Sequence, residues 1–231
     1  MICLMDGRVI VVECWGKVNL FASDGKFQKQ LPISDEAWSV TQINQDTIAI
    51  SDPEEKAIKI YNMKNETVSK VIALGRSCFG LSYSNSLLAV GLSNDEIRIL
   101  DLEGNTVKSI QVRSRTYLHY IVYCNDKVIF SDYNGRAVYC VDTSSEQIWE
   151  YKQDLEGPRA LCTDMYGNII VADFSNRIIV ISKDGHDSTV LISKEDGLKE
   201  TKYICYDNNS GFICDRKGTN LTKFNISYKQ K

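Results

Sequence analysis

Residues 161–185 alternate between apolar runs and short polar breaks. Isoleucine and valine dominate 168–173 and 177–182, Phe174-Ser175-Asn176 separates the two runs, and Lys183-Asp184-Gly185 closes the second. Short β-branched runs bounded by turn residues predict two antiparallel strands joined tightly, with Asp-Gly as a hairpin signal. One hairpin cannot bury its own faces in water, so the pattern must recur for the chain to fold. It does recur. Asp173, the last residue of the first run, has counterparts at Glu13, Asp52, Leu92, Asp132 and Asp215, at steps of 39 to 42 residues. A second apolar run follows each marker, at 18–21, 58–61, 97–100, 138–141, 178–181 and 221–224.

Each unit divides further into four strand-like pieces. In the second unit these are 38–43, 47–51, 57–63 and 68–74; in the third, 79–83, 87–92, 96–102 and 106–112. The fourth gives 118–124, 127–131, 137–142 and 147–151; the fifth gives 159–164, 168–173, 177–182 and 188–193. No window carries an amphipathic helix, and the polar stretch 193–202 reads as a loop between units. Four antiparallel strands per forty residues predict the blade of a β-propeller, with a four-stranded solenoid as the weaker alternative.

The second piece of each unit is nearly all apolar, as befits a strand sandwiched between neighbouring blades. The fourth is polar and in the first unit ends at Pro32, which suits an outer edge. The strands therefore run from a central channel outwards. The expectation is an all-β, six-bladed propeller forming one domain, with blades near 1–34, 35–75, 76–113, 114–154, 155–195 and 196–231. Ile48, Ala89, Ile129, Ile170, Ala172 and Ile213 should be buried between blades. Six inner pieces but five clear outer ones predict an incomplete last blade with 221–226 as its edge. The missing strand is expected before Met1, and the chain is expected to be a piece, or an unusual isoform, of a longer protein.

Composition narrows the partner. A net charge of −3 and a pI near 5.5 exclude a generally basic nucleic-acid surface. No apolar run reaches the roughly 18 residues of a membrane span, and the apolar start meets Asp6 at once without a basic lead, unlike a secretory signal. A cytoplasmic location without a membrane partner is expected. The eight cysteines include no C-x-x-C pair and sit mostly inside the apolar runs. They read as reduced, structural thiols rather than a zinc site, and the sequons at Asn65 and Asn220 then carry little weight.

The segment Tyr166-Gly167-Asn168-Ile169-Ile170-Val171-Ala172-Asp173-Phe174-Ser175-Asn176-Arg177-Ile178 resembles the NHL repeat, D-G-x-(apolar)-x-V-A-D-x-x-N-x-R-I. Pro158-Arg159-Ala160-Leu161-Cys162-Thr163-Asp164 is similar to that repeat's lead-in, P-x-G-(apolar)-x-x-D. The match is partial in the fourth unit (Phe130-Ser131-Asp132, then Arg136) and weaker elsewhere, with Leu92 at the Asp position. Residues 126–151 and 190–197 also resemble the propeller end of invertebrate tripartite-motif proteins. In that family a RING, B-boxes and a coiled coil precede the propeller, the RING transfers ubiquitin, and the propeller recognises a protein or an RNA. The resemblance therefore implies a recognition module, since these 231 residues contain no RING, B-box or coiled coil.

Candidate chemistry agrees with binding rather than catalysis. The two histidines, His119 and His186, fall on an inner strand and in a hairpin turn, so they are not expected to meet, and no base–orienter pair is indicated. Asp52, Asp132, Asp173 and Asp215 recur once per blade and invite a calcium site. A carboxylate before a tight turn more commonly accepts hydrogen bonds from turn amides, and that reading is preferred. No cofactor, metal or small-molecule substrate is predicted.

Seven of the nine arginines fall at two kinds of connection, which a four-stranded meander brings to one end. Arg136, Arg177 and Arg216 follow the second strand; Arg76, Arg113, Arg115 and Arg159 precede the first. Arg136 and Arg177 are the ones expected to pair with the strand-end Asp. The partner-binding expectation rests on Arg76, Arg113, Arg115, Arg159 and Arg216 with the turn aromatics Trp15, Tyr133 and Phe174, because arginine suits carboxylate and phosphate. A protein partner, bound by the substrate-recognition end of a tripartite-motif-like ubiquitin ligase, is the leading expectation. An RNA-binding propeller is the first alternative and a calcium-dependent propeller hydrolase or lyase the second.

Overall fold

The computed structural model describes residues 1–13, 16–33, 36–199, 201–207, 210–215 and 221–226. Trp15 and Arg216, together with Cys14 and Asp35, lie outside the described residues. The rest form six antiparallel sheets, five of four strands and one of three, arranged as a β-propeller.

Blade one is β1 (Ile2–Cys3), β2 (Val9–Val12), β3 (Val18–Phe21) and β4 (Phe27–Gln30); blade two is β5 (Ser39–Asn44), β6 (Thr47–Asp52), β7 (Ala57–Asn62) and β8 (Thr67–Ala73). Blade three is β9 (Cys78–Ser84), β10 (Leu87–Leu92), β11 (Glu96–Asp101) and β12 (Thr106–Gln111). Blade four is β13 (Ile121–Cys124), β14 (Lys127–Asp132), β15 (Ala137–Asp142) and β16 (Gln147–Tyr151). Blade five is β17 (Pro158–Thr163), β18 (Ile169–Asp173), β19 (Arg177–Ile181) and β20 (Ser188–Ile192). Blade six has β21 (Thr201–Asp207), β22 (Ser210–Asp215) and β23 (Leu221–Asn225), so among the described residues β23 is its outer edge. The 193–202 loop holds only a 3-10 turn at Lys194–Asp196.

The core is six seams rather than one centre. The alternation of a strand sends successive side chains to opposite faces, and β18 shows the result. Ile169 and Val171 pack towards blade four with Ile129, Trp149 and Tyr151, while Ile170 and Ala172 pack towards blade six with Ile204 and Ile213. A second strand is therefore apolar through its middle on both faces. The last seam joins Val9, Val11 and Phe21 of blade one to Tyr203, Cys205, Phe212 and Cys214 of blade six, which closes the ring. Ile48, Ala89, Ile129, Ile170, Ala172 and Ile213 are all buried. Each such isoleucine contributes roughly 1.5–3 kcal/mol through removal from water.

Two local departures from the sequence reading shape the site. The inner strand of blade four begins at Ile121 rather than at 118. The Leu118 carbonyl instead accepts a hydrogen bond from the Gly80 N–H of blade three at 2.8 Å. This close approach needs glycine on the neighbouring blade: a Cβ on Gly80 would lie 2.8 Å from the Leu118 oxygen, and one on Gly91 would lie 2.5 Å from the Leu118 Cβ.

The second departure is a difference in turn length. Asp173 pairs with Arg177 across a three-residue turn, whereas Asp132 pairs with Ala137 across a four-residue one. The extra residue puts Arg136 inside the turn, exposed and at φ 52°, instead of at the start of the next strand. Arg177 reaches Asp173 at 3.3 Å, but Arg136 makes no such pair with Asp132, which corrects the expectation that both arginines do. Blade two has the longer turn as well, and there Lys59, two residues into the strand, reaches Asp52 at 2.7 Å.

Candidate functional site

Two of the strand-end aspartates, Asp132 and Asp173, pin the connections that enter their blades. Asp173 is fully buried and accepts hydrogen bonds from the N–H groups of Gly157 at 2.9 Å and Glu156 at 3.2 Å. Asp132 accepts from the Arg115 N–H at 2.9 Å, the Thr116 hydroxyl at 2.8 Å and the Gly135 N–H at 3.0 Å. A buried carboxylate satisfied by several amides holds those amides in place. The pinned segments deliver Tyr117 and Arg159 to the channel mouth. Among the described residues no group of three acidic, histidine or cysteine side chains converges to hold a metal.

At that mouth one residue per blade recurs at or just before the inner strand: Trp38, Phe79, His119, Arg159 and Lys202 for blades two to six. The first three form a continuous aromatic arc with Tyr117. Trp38 and His119 have ring centroids 4.7 Å apart, Phe79 stacks on Tyr117 at 4.9 Å, and Phe79 meets Trp38 edge-on at 5.7 Å. Trp38 and Tyr117 remain 37% and 59% exposed, a large apolar exposure for rings that have neighbours to pack against. Burial among the rings pushes His119 down to about 4, helped by the positive charge of Lys202, so the arc is uncharged near neutrality.

The opposite side of the mouth is cationic. Arg159 lies over Phe174 at 4.8 Å and over Tyr133 at 5.6 Å, and these two rings meet edge-on at 5.8 Å. One guanidinium N–H donates to the Thr201 carbonyl at 3.4 Å. Gly157 makes the clamp possible, since a Cβ there would lie 2.6 Å from the Tyr133 ring. Between the two sides opens a cavity of about 410 Å³ that Trp38, Tyr117, His119, Tyr133, Phe174 and Arg159 help to line. Deeper in the channel a smaller space of about 200 Å³ meets Cys3, Cys162 and Cys205. Burial raises the Cys162 and Cys205 thiols well above their ordinary range, which makes them poor nucleophiles.

Of the residues expected to bind a partner, the structure brings Arg159, Tyr133 and Phe174 together at the mouth. Arg115 is exposed on the pinned segment beside them, and Arg113 is exposed two residues earlier. Arg76 belongs to a different arrangement. Blade three carries Leu92 where the other blades carry Asp or Glu, and its acidic group sits across the turn at Glu96 instead. Glu96 is buried and takes Arg76 at 2.5 Å and Arg98 at 2.9 Å, so Arg76, its side chain still 47% exposed, already has a carboxylate partner. The aromatic arc went unread in the sequence because its members share a position rather than a residue type. The available signal was their spacing, 38, 79, 119, 159 and 202.

Comparison with known proteins bears on the fold. No family model matches the sequence, and no curated protein does. A streptogramin B lyase structure matches at 12% identity with a TM-score of 0.70, over 99% of this chain and 82% of that one. The nidogen/laminin complex matches at 12% identity with a TM-score of 0.75, over 94% and 89%. A catalytically inactive virginiamycin B lyase from Staphylococcus aureus with quinupristin matches at 14% identity with a TM-score of 0.70, over 94% and 80%. The fold is a six-bladed β-propeller. At these identities the likeness concerns the fold alone. Among the described residues no helix is long and apolar enough to cross a membrane.

Proposed function

We propose that this propeller is a non-catalytic recognition module whose channel mouth binds a protein partner. The observation that carries the reading is the open cavity walled by exposed rings on one side and by Arg159 and Lys202 on the other. Aromatic residues and arginine are the types that dominate binding energy at protein interfaces. His119, neutral and surrounded by rings, is suited to packing rather than to proton transfer. One structural neighbour is a nidogen/laminin complex, an assembly that fits a propeller working as a protein-binding platform. The motif at 166–178 supports a narrower reading, in which this is the NHL propeller of a tripartite-motif-like ubiquitin ligase and selects the substrate for a RING elsewhere in the parent protein.

The test compares affinity capture by the wild-type chain with capture by a Tyr117→Ala/Phe174→Ala variant, with and without ribonuclease. A protein partner retained after ribonuclease and lost at least tenfold in the variant is the expected result. Capture that disappears with ribonuclease and falls steeply with salt points instead to phosphate contacts and RNA. Capture unchanged by the double substitution removes the mouth as the binding face.

A further inference from the structure

Arg159 differs from the other arginines in its electrostatic situation. Among the described residues Arg8, Arg76, Arg98 and Arg177 each reach a carboxylate, while Arg113, Arg115 and Arg136 are exposed to water. Arg159 alone is half-buried without an acidic partner. Its protein contacts are one carbonyl oxygen and the faces of Tyr133 and Phe174. A guanidinium withdrawn from water and left without a counter-ion is costly unless something else supplies the charge. Its remaining N–H donors form a planar fork that matches a carboxylate. None of the described residues lining the cavity is acidic, so they add no competing negative charge.

The cavity is two-sided. Across from Arg159 stands the aromatic arc, with Trp38 and Tyr117 offering ring faces to whatever enters. We infer that, within the recognition reading above, the mouth takes a loop of the partner protein in which an Asp or Glu side chain stands next to an aromatic residue. The carboxylate meets Arg159 and the partner's ring enters the arc of Trp38, Phe79 and Tyr117. A single charge is favoured over a phosphate dianion because Arg159 is the one arginine among the described residues lining the cavity, whereas phosphate recognition recruits clusters of arginines. The volume of about 410 Å³ has room for one large side chain together with its neighbour, not for an extended strand.

The probes are blocked dipeptides: acetyl-Trp-Asp-amide, its neutral isostere acetyl-Trp-Asn-amide, acetyl-Gly-Asp-amide and acetyl-phosphotyrosine-amide. Binding to the full chain is followed by saturation-transfer NMR and by amide chemical shifts. The expected order places Trp-Asp about tenfold above both Trp-Asn and Gly-Asp, the ratio that one charge-assisted pair supplies. Arg159→Gln should remove the preference for Asp over Asn, bringing the two Trp probes to the same level, while Arg177→Gln should preserve that preference. The wild-type ratio requires no variant, so a misfolded substitution leaves the test intact. Equal binding of Trp-Asp and Trp-Asn, tighter binding of phosphotyrosine, or no binding of any probe at ~10 mM overturns the inference. If the ratio fails while the Tyr117→Ala/Phe174→Ala variant still loses its protein partner, the ligand class is wrong and the recognition face stands. If both fail, the mouth is not the binding site.

Discussion

Asp173 accepts a hydrogen bond from the backbone N–H of Gly157 at 2.9 Å, sixteen residues earlier in the chain, and that bond places Arg159 at the channel mouth. Asp173→Ala strands the buried amide of Gly157, removes the acceptor of the Glu156 amide and leaves Arg177 without its partner. The expected loss is about 2–4 kcal/mol by denaturant unfolding. Arg177→Ala should cost about 1 kcal/mol or less, because that side chain is partly solvated and the carboxylate keeps its amide donors. Equal losses for the two substitutions would show that the ion pair, not the amide pin, holds the connection.

Gly91 faces the main chain of Leu118 so closely that a Cβ would lie 2.5 Å from the Leu118 Cβ and 2.6 Å from its carbonyl oxygen. Gly91→Ala should therefore destabilise the protein by roughly 1–3 kcal/mol through overpacking, although alanine suits a strand better than glycine does. The control is Gly75→Ala, where nothing lies within 4 Å but φ is +73°, so the cost there is backbone strain alone. Thermal melts of the two variants separate crowding from strain: only Gly91→Ala should also shift the amide resonances of Leu118 and Gly80.

Arg136 occupies the left-handed region at φ 52° in the four-residue turn of blade four. A long, charged side chain gains nothing there, and asparagine tolerates that backbone better. Arg136→Asn is expected to stabilise the chain by about 0.5 kcal/mol, seen as a higher denaturant midpoint at unchanged slope. A loss of stability would mean that Arg136 makes a contact in solution that the exposed turn does not show.

His119 is held near 4 by burial, while an unfolded histidine takes its proton near 6.5. Between those values the unfolded chain binds the extra proton and the folded chain does not. Stability from this group is thus complete above about pH 6.5 and declines as pH falls towards 4, by an amount on the order of 2–3 kcal/mol. His119→Phe keeps a ring in the arc and should flatten the difference between pH 6.5 and 4.5. The measurement is unfolding free energy against pH for both proteins, with the variant supplying the background from carboxylates.

The repeat, the order of strands and the buried residues of each seam were legible in the sequence because they obey a period. Ile170 and Ala172 had to face one neighbour and Ile169 and Val171 the other, whatever the rest of the chain did. The site was only half legible. Tyr133, Phe174 and Arg159 stood out as types, but Trp38, Phe79 and Tyr117 meet only when neighbouring blades pack, and residues some forty apart in sequence then make ring contacts. Arg76 looked equivalent to Arg159 by position. Its capture by Glu96 depends on blade three placing Leu and Glu in the reverse of the usual order, a swap that only matters once the turn is built. The fate of Arg136 turned on one extra residue in a loop, which no composition rule detects.

Blade one draws all four of its strands from residues 2–30 and blade six its three from 201–225, so among the described residues no strand crosses the seam between them. The seam is held by apolar packing and by contacts such as Lys223 with the Ser23 carbonyl. The molecule is a split washer: circular by contact, linear by connectivity. Its two lips can part without breaking any sheet, and a ligand that spans the mouth from Trp38 to Arg159 would grip the arc on the side away from the slit.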